Sequence, residues 1–326
     1  MSRGHSDALA TITLANEAME LVVAPALGGK ILSLRSQATG REWLWKNPYL
    51  PLRTPPPGSV NFGDYDAGGW DEIFPSVDPC DATDSPWGLS GIGDHGVLWS
   101  RCWKKLESAA PRSRGNAITL VVDEPELPFR FKRTLTVAPG RGPLLVDYAL
   151  ENHSDAPLPY IWAAHPLIAV APGMTIGLPR GVRTTAATTM GFELANRATQ
   201  FEWPLAEAAD GQMIDFSRVP GRGAGIAAKL FTDRLTQGLL QLISERGDEA
   251  LRISFDANDV PYMGLWLNYG AWSGANTTPY FNCGVEPTTS PCDRLNMAIR
   301  RNQASPLPAG ATRRWKLAVA LASIDD

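Results

Sequence analysis

An all-β fold, arranged as a large two-sheet antiparallel β-sandwich, is predicted by three observations. Short apolar or alternating runs recur from end to end of the chain, turn residues bound each of them, and long amphipathic helical patterns are nearly absent. A period of two sends successive side chains to opposite faces of a strand. More strands of this kind than a dozen need two broad sheets packed face to face.

The elements follow in order. In the first half the strand-like runs are residues 8–14, 19–23, 30–34, 118–122, 129–137, 144–150 and 158–164. The pattern resumes at 227–231, 239–243, 251–255, 263–267, 280–286 and 315–320, each bounded by Gly, Pro, Asn or Asp, the residues that form tight turns. Two long loops interrupt the strands, 47–65 with its proline-rich Thr54-Pro55-Pro56-Pro57-Gly58 and 78–94, and they frame Gly69-Trp70-Asp71-Glu72. Long loops inside a packed domain usually carry function or move. The stretch 179–225, rich in Arg, Thr, Ala and Gly, is expected to form peripheral hairpins and connections. Neither an internal repeat nor an interdomain linker is visible, so residues 1–326 are expected to form a single domain.

Composition narrows the function classes. A chain that is 44% hydrophobic and 20% charged is globular, and none of its apolar runs reaches the ~18 residues of a membrane helix. The start, Met1-Ser2-Arg3-Gly4-His5-Ser6-Asp7, lacks the basic-then-apolar layout of a secretory leader, which makes a cytoplasmic location the expectation. A net charge of −4 without a Lys/Arg run argues against nucleic acid as a partner. Cys80, Cys102, Cys283 and Cys292 have no metal-ligand spacing and are expected to be free thiols. The 11 tryptophans suit β-sheet packing and equally suit stacking on the apolar face of a sugar ring.

The residues able to move protons are few. Glu286, in Gly284-Val285-Glu286-Pro287, ends a β-prone run and precedes a proline-rich turn, the position from which a scaffold presents a reactive side chain. Of the four histidines, His5 lies at the terminus and His153 in a polar turn. His95 follows a glycine-rich loop and His165 closes an apolar strand just before Pro166. Imidazole titrates near pH 6.5, so these two with one carboxylate make an acid–base set.

Taken in order, Leu21-Val22-Val23-Ala24-Pro25-Ala26-Leu27-Gly28-Gly29-Lys30-Ile31-Leu32-Ser33-Leu34, Gly69-Trp70-Asp71-Glu72-Ile73-Phe74-Pro75, Asp94-His95-Gly96-Val97-Leu98-Trp99, Ala164-His165-Pro166 and Gly284-Val285-Glu286-Pro287 resemble the aldose 1-epimerase (galactose mutarotase-like) family. The resemblance runs from about Met19 to Ala320 and is closest to a divergent branch. It departs from the better-known hexose mutarotases around both histidines and in having Gly69-Trp70-Asp71-Glu72 where those carry a sugar-binding arginine. The resemblance implies a supersandwich with a sugar cleft on one sheet, a small-molecule sugar as partner, and a monomer or homodimer. It also implies that Glu286 removes the anomeric proton, that His165 protonates the ring oxygen and that His95 faces the sugar. Trp70, Asp71, Glu72 and Trp266 are the candidate sugar-binding residues: the carboxylates would accept hydroxyl hydrogen bonds and the indoles would stack. Neither a cofactor nor a metal is expected, because the chemistry is proton transfer.

Two alternatives stay open at this point. One is a hexose 6-phosphate 1-epimerase, whose phosphate would need cations such as Arg294, Arg300 or Arg301 beside the sugar site. The other is a sugar-binding or sensing protein that keeps the fold without turnover.

Overall fold

The computed structural model describes residues 9–81, 87, 91–106, 116–195, 199–274 and 276–323. Its strands are β1 (Ile12–Ala15), β2 (Met19–Ala24), β3 (Lys30–Ser36), β4 (Trp70–Ile73), β5 (Lys104–Leu106), β6 (Asn116–Asp123), β7 (Phe129–Val137) and β8 (Leu144–Asn152). There follow β9 (Leu158–Tyr160), β10 (Ala163–Ile168), β11 (Thr175–Gly177), β12 (Arg183–Met190), β13 (Gln200–Glu202), β14 (Leu205–Glu207), β15 (Met213–Asp215) and β16 (Ile226–Thr232). The last are β17 (Gly238–Ile243), β18 (Glu249–Phe255), β19 (Tyr262–Tyr269), β20 (Phe281–Thr288), β21 (Ser305–Leu307) and β22 (Thr312–Ser323), with the short helix α1 (Leu295–Arg300) between β20 and β21.

Ten strands form one sheet in the order β1-β2-β3-β4-β10-β20-β19-β16-β12-β13, and eight form the other in the order β11-β17-β18-β22-β8-β7-β6-β5. Strand neighbours are antiparallel throughout the centre of the first sheet, where β4, β10, β20, β19 and β16 lie side by side. The all-β sandwich expected from the period-2 pattern is therefore the observed architecture.

The pattern also explains the core. In β7 the inward positions Phe129, Phe131, Arg133, Leu135 and Val137 are all buried while the residues between them are partly exposed. Aromatic rings fill the space between sheets: Trp162 meets Tyr148 and Trp315 edge-on at 4.8 and 4.9 Å between centroids, and Tyr148 stacks on Trp315 at 5.3 Å. Each large apolar side chain buried this way contributes roughly 1.5–3 kcal/mol. The central strand β10 is buried along its whole length and β20 at every residue but Phe281, so both of their faces are covered. Among the described residues no helix is long and apolar enough to cross a membrane. All four cysteines are free.

Several expectations need correction. The run 158–164 is two strands, β9 and the start of β10, separated at Ile161-Trp162 and belonging to different sheets. The stretch 179–225 is not wholly peripheral, because β12 joins the ten-stranded sheet against β16 and only β14 and β15 form a separate hairpin. Its threonines and alanines hide a strand whose pattern is broken by a register shift between Ala186 and Thr188. Residue 8 of the first run, and 82–86 and 88–90 of the loop 78–94, lie outside the described residues.

Candidate active site

Antiparallel register assembles the candidate site. Directly opposed residues share a face, and across four strands His165 opposes Asp71 on one side while Glu286 opposes Gly264 on the other. The pairing of Ala163 with Thr288 and of Leu167 with Gly284 places His165 opposite Glu286. Gly264 in turn opposes Phe231. One row of this face therefore reads Asp71, His165, Glu286, Gly264, Phe231. The next row carries Leu167, Gly284, Trp266 and Lys229.

Glycine is required where the rows are tightest. A Cβ on Gly264 would lie 3.0 Å from Glu286 Oε2, and one on Gly284 would lie 3.1 Å from Glu286 Oε1. The absence of side chains at the two glycines leaves room for the buried carboxylate between them.

Glu286 is 1% exposed and His165 6% exposed, with His165 Nε2 3.8 Å from Glu286 Oε1. Lys229 Nζ donates to Glu286 Oε2 at 2.5 Å and stands 3.6 Å from Asp293 Oδ1. On the other flank Lys30 Nζ donates to Asp71 Oδ2 at 2.5 Å and to the Gly68 carbonyl at 2.8 Å. His95 arrives from the loop. Its backbone is left-handed (φ 60°) and the following Gly96 has φ 75°, where a Cβ would sit 1.9 Å from the Phe74 carbonyl oxygen. A non-glycine residue held at positive φ is strained, a cost that tends to be tolerated where a side chain must be aimed. The ring so placed stacks on Phe62 at 3.9 Å, lies 4.8 Å from the His165 ring, and has Asp94 Oδ1 2.8 Å from its Nδ1.

The two imidazoles are driven in opposite directions. Burial, then the positive charges of His95, Lys229 and Lys30, push His165 well below its usual value, so it is neutral at pH 7. Burial also opposes the charge on His95. The hydrogen bond and charge of Asp94, with Glu286 and Asp66 behind, outweigh it and raise His95 above 6.5. Burial works against the charge on Lys229 too, but Glu286 and Asp293 keep it protonated. For Asp293, burial and repulsion from Glu286 and Asp78 exceed the pull of Lys229 and raise its carboxyl. Burial likewise raises Asp66, which accepts from the Gly68 N–H at 3.0 Å.

Of the residues expected from the sequence, the structure brings together Glu286, His165, His95 and Asp71, with Trp266 two positions along the same strand from Gly264 and edge-on to Trp272 at 5.7 Å. Two are corrected. Trp70 is 1% exposed and Glu72 fully buried, because alternation along β4 turns both to the inter-sheet core, away from Asp71. Glu72 instead accepts hydrogen bonds from Arg133 Nη1 at 2.8 Å, Tyr148 Oη at 2.9 Å and Trp162 Nε1 at 2.9 Å. Burial pushes the Glu72 carboxyl up against the pull of Arg133 and these donors. Neither residue shares the face that carries Asp71, His165 and Glu286.

Lys229, Lys30, Asp293, Asp66 and Asp94 were not singled out from the sequence. Lys229 alone carried a signal, a cation inside the apolar run Ala227-Ala228-Lys229-Leu230-Phe231, which demands a buried counter-charge. Among the described residues no group of three or more His, Cys, Asp and Glu side chains is arranged to hold a metal ion. A surface cavity of about 330 Å³ lined by Arg180, Trp203 and Gln241 lies at the edge of the eight-stranded sheet and contains none of these groups.

Comparison with solved structures finds the same fold along almost the whole chain. The protein Slr1438 from Synechocystis sp. superposes with a TM-score of 0.67 at 14% identity, covering 99% of both chains. A galactose mutarotase-like protein from Lactobacillus casei gives 0.58 at 17% identity, over 96% of this chain and 100% of that one. Another from Clostridium acetobutylicum gives 0.64 at 13% identity, over 96% and 95%. No protein-family model and no curated protein matches the chain. At these identities the likeness is one of fold: the chain has the galactose mutarotase-like sandwich.

Proposed function

We propose that this protein is an aldose 1-epimerase that interconverts the α and β anomers of a free, uncharged aldose by opening and reclosing the ring. The observation that carries this reading is the approach of His165 Nε2 to Glu286 Oε1 at 3.8 Å with the His95 ring beside them. This set can remove one proton and supply another across a single small ligand. Glu286 takes the proton of the anomeric hydroxyl. The ring oxygen is protonated, the bond from C1 to the ring oxygen breaks with its electron pair going to that oxygen, and C1 becomes an aldehyde. Rotation about C1–C2 and the reverse transfers give the other anomer.

The charge states favour His95 as the proton donor and His165 as the neutral partner that orients the ring, which exchanges the two roles implied by the family resemblance. Asp71 and Trp266 remain for hydroxyl binding and stacking. An uncharged substrate is favoured over a phosphorylated one because the cations of the site are already committed: Lys30 to Asp71 and Lys229 to Glu286. Of the arginines considered for phosphate, Arg294 pairs with Asp78 at 3.3 Å and Arg300 and Arg301 are exposed at the end of α1.

The test is polarimetry on freshly dissolved α-D-glucose, α-D-galactose and glucose 6-phosphate. Faster relaxation of a neutral sugar supports the proposal; acceleration confined to the phosphate would replace it, and binding without acceleration would leave a sugar sensor.

A further inference from the structure

Lys229 takes part in no step written above, yet it is the closest charged neighbour of the proposed base. It is 8% exposed, its Nζ lies 5.1 Å from the Phe231 ring centroid, and its ammonium faces two carboxylates, Glu286 at 2.5 Å and Asp293 at 3.6 Å. A buried ammonium is retained only with such partners. The contact is also specific to one oxygen. Lys229 holds Glu286 Oε2, while Oε1 is turned to His165, and the close packing against Gly264 and Gly284 resists exchange of the two oxygens.

Resting on the epimerase reading, we propose that Lys229 is a positioning residue: it holds Glu286 by Oε2, so that Oε1 is the oxygen that takes the anomeric proton, and it moves toward Asp293 when Glu286 has taken that proton. The balance is simple. The proton passes from the substrate O1–H to Oε1, Lys229 stays an ammonium throughout, and the pair Lys229–Asp293 replaces the pair Lys229–Glu286 until reclosure returns the proton. Asp293 is suited to this exchange because it lies within one small displacement of Nζ and is partly exposed.

Other charged or titratable groups also face this pair. They are His165 on β10, His95 and Asp94 on the loop before Val97, Lys30 on β3, Asp71 on β4, and Asp66 and Asp78 on the flanking loops, while Cys283 of β20 lies on the opposite, core face and feels Glu286 only through its charge. None except Lys229 touches Oε2.

The experiment is the pH profile of kcat/KM for anomerisation of D-glucose and D-galactose by wild type, Lys229→Met, Lys229→Arg and Asp293→Asn. Removing a positive charge in contact with a carboxylate moves its protonation by about one pH unit or more. Lys229→Met should therefore shift the acid limb upward by about that much and lose roughly tenfold or more in rate near pH 6, while Lys229→Arg restores the limb. Asp293→Asn, which removes the competing partner and a nearby negative charge, should shift the limb the opposite way, and this variant decides the question if Lys229→Met does not fold. Limbs unmoved in folded Lys229→Met or in Asp293→Asn would overturn the role of Lys229 alone. Absence of catalysis by wild type on both sugars would overturn the epimerase reading, and the role of Lys229 with it.

Discussion

Replacing Arg133 by methionine should cost this protein a large part of its stability. The Arg133 guanidinium and the Glu72 carboxylate are both fully buried and meet at 2.8 Å between the two sheets, Arg133 on β7 and Glu72 on β4. Arg133 Nη2 also donates to the Gly29 carbonyl, and its guanidinium lies 5.0 Å from the Trp103 ring. Methionine fills a similar volume but leaves the buried Glu72 carboxyl without its cation, facing only the neutral donors Tyr148 and Trp162. Breaking a buried ion pair in this one-sided way costs about 3–5 kcal/mol, and the orphaned Gly29 carbonyl adds about 1 kcal/mol. Against a urea dependence of about 3 kcal/mol per M, a total near 4–6 kcal/mol moves the midpoint down by about 1.3–2 M. Urea unfolding followed by tryptophan fluorescence measures this. The double variant Arg133→Met with Glu72→Leu removes both charges and should recover part of the loss, since charge desolvation then falls on neither group while Tyr148, Trp162 and the Gly29 carbonyl still lack their partners. A shift under about 0.3 M for the single variant, or a double variant as unstable as the single, would refute the argument that this pair staples the sheets behind the site.

Three further outcomes are expected. Proton NMR of the imidazoles should show His95 titrating above pH 6.5 and His165 well below it; the reverse order would return the proton-donor role to His165. The stability consequence has opposite signs for the two. The raised His95 contributes stability that is complete below pH 6.5 and is lost as pH rises through its folded value, whereas the depressed His165 contributes above pH 6.5 and its share is lost as pH falls. His165→Asn should therefore flatten the loss of stability below pH 6.5. Trp266→Ala should raise KM for a neutral aldose by about tenfold with a smaller change in kcat, the loss of a stacking surface worth roughly 1 kcal/mol or more; an unchanged KM would remove Trp266 from the binding surface.

The sandwich was legible because period-2 alternation is imposed by burial of one sheet face, and most of the strongly patterned runs became strands. What was not legible has physical causes. β12 lies in a stretch of threonine, alanine and arginine whose alternation is interrupted by a bulge, so its membership of the main sheet depends on pairing with β16, a partner more than thirty residues away. Glu286, His165 and His95 were singled out by residue type and neighbouring motif, whereas the separation of Asp71 from Glu72 depends on which face of β4 points outward. Adjacent carboxylates in one strand cannot both line a site, and the sequence around Trp70-Asp71-Glu72-Ile73 is too short and too apolar on both faces to tell them apart. Arg133 and Lys229 are buried cations, Arg133 among the apolar inward residues of β7 and Lys229 within the apolar run of β16. Each signalled that a buried carboxylate existed, and only the register named it.

The proposed epimerase needs Glu286 as the base for ring opening. It is tested most directly by saturation-transfer NMR between the α and β anomeric protons of D-glucose and D-galactose at equilibrium, with wild type and Glu286→Gln at equal concentration. The glutamine keeps the size of the side chain and cannot take the proton, so the account expects exchange with wild type for at least one sugar and a loss of about 10²-fold or more in the variant. Exchange by Glu286→Gln at the wild-type rate, in a variant that folds and binds the sugar, would contradict it.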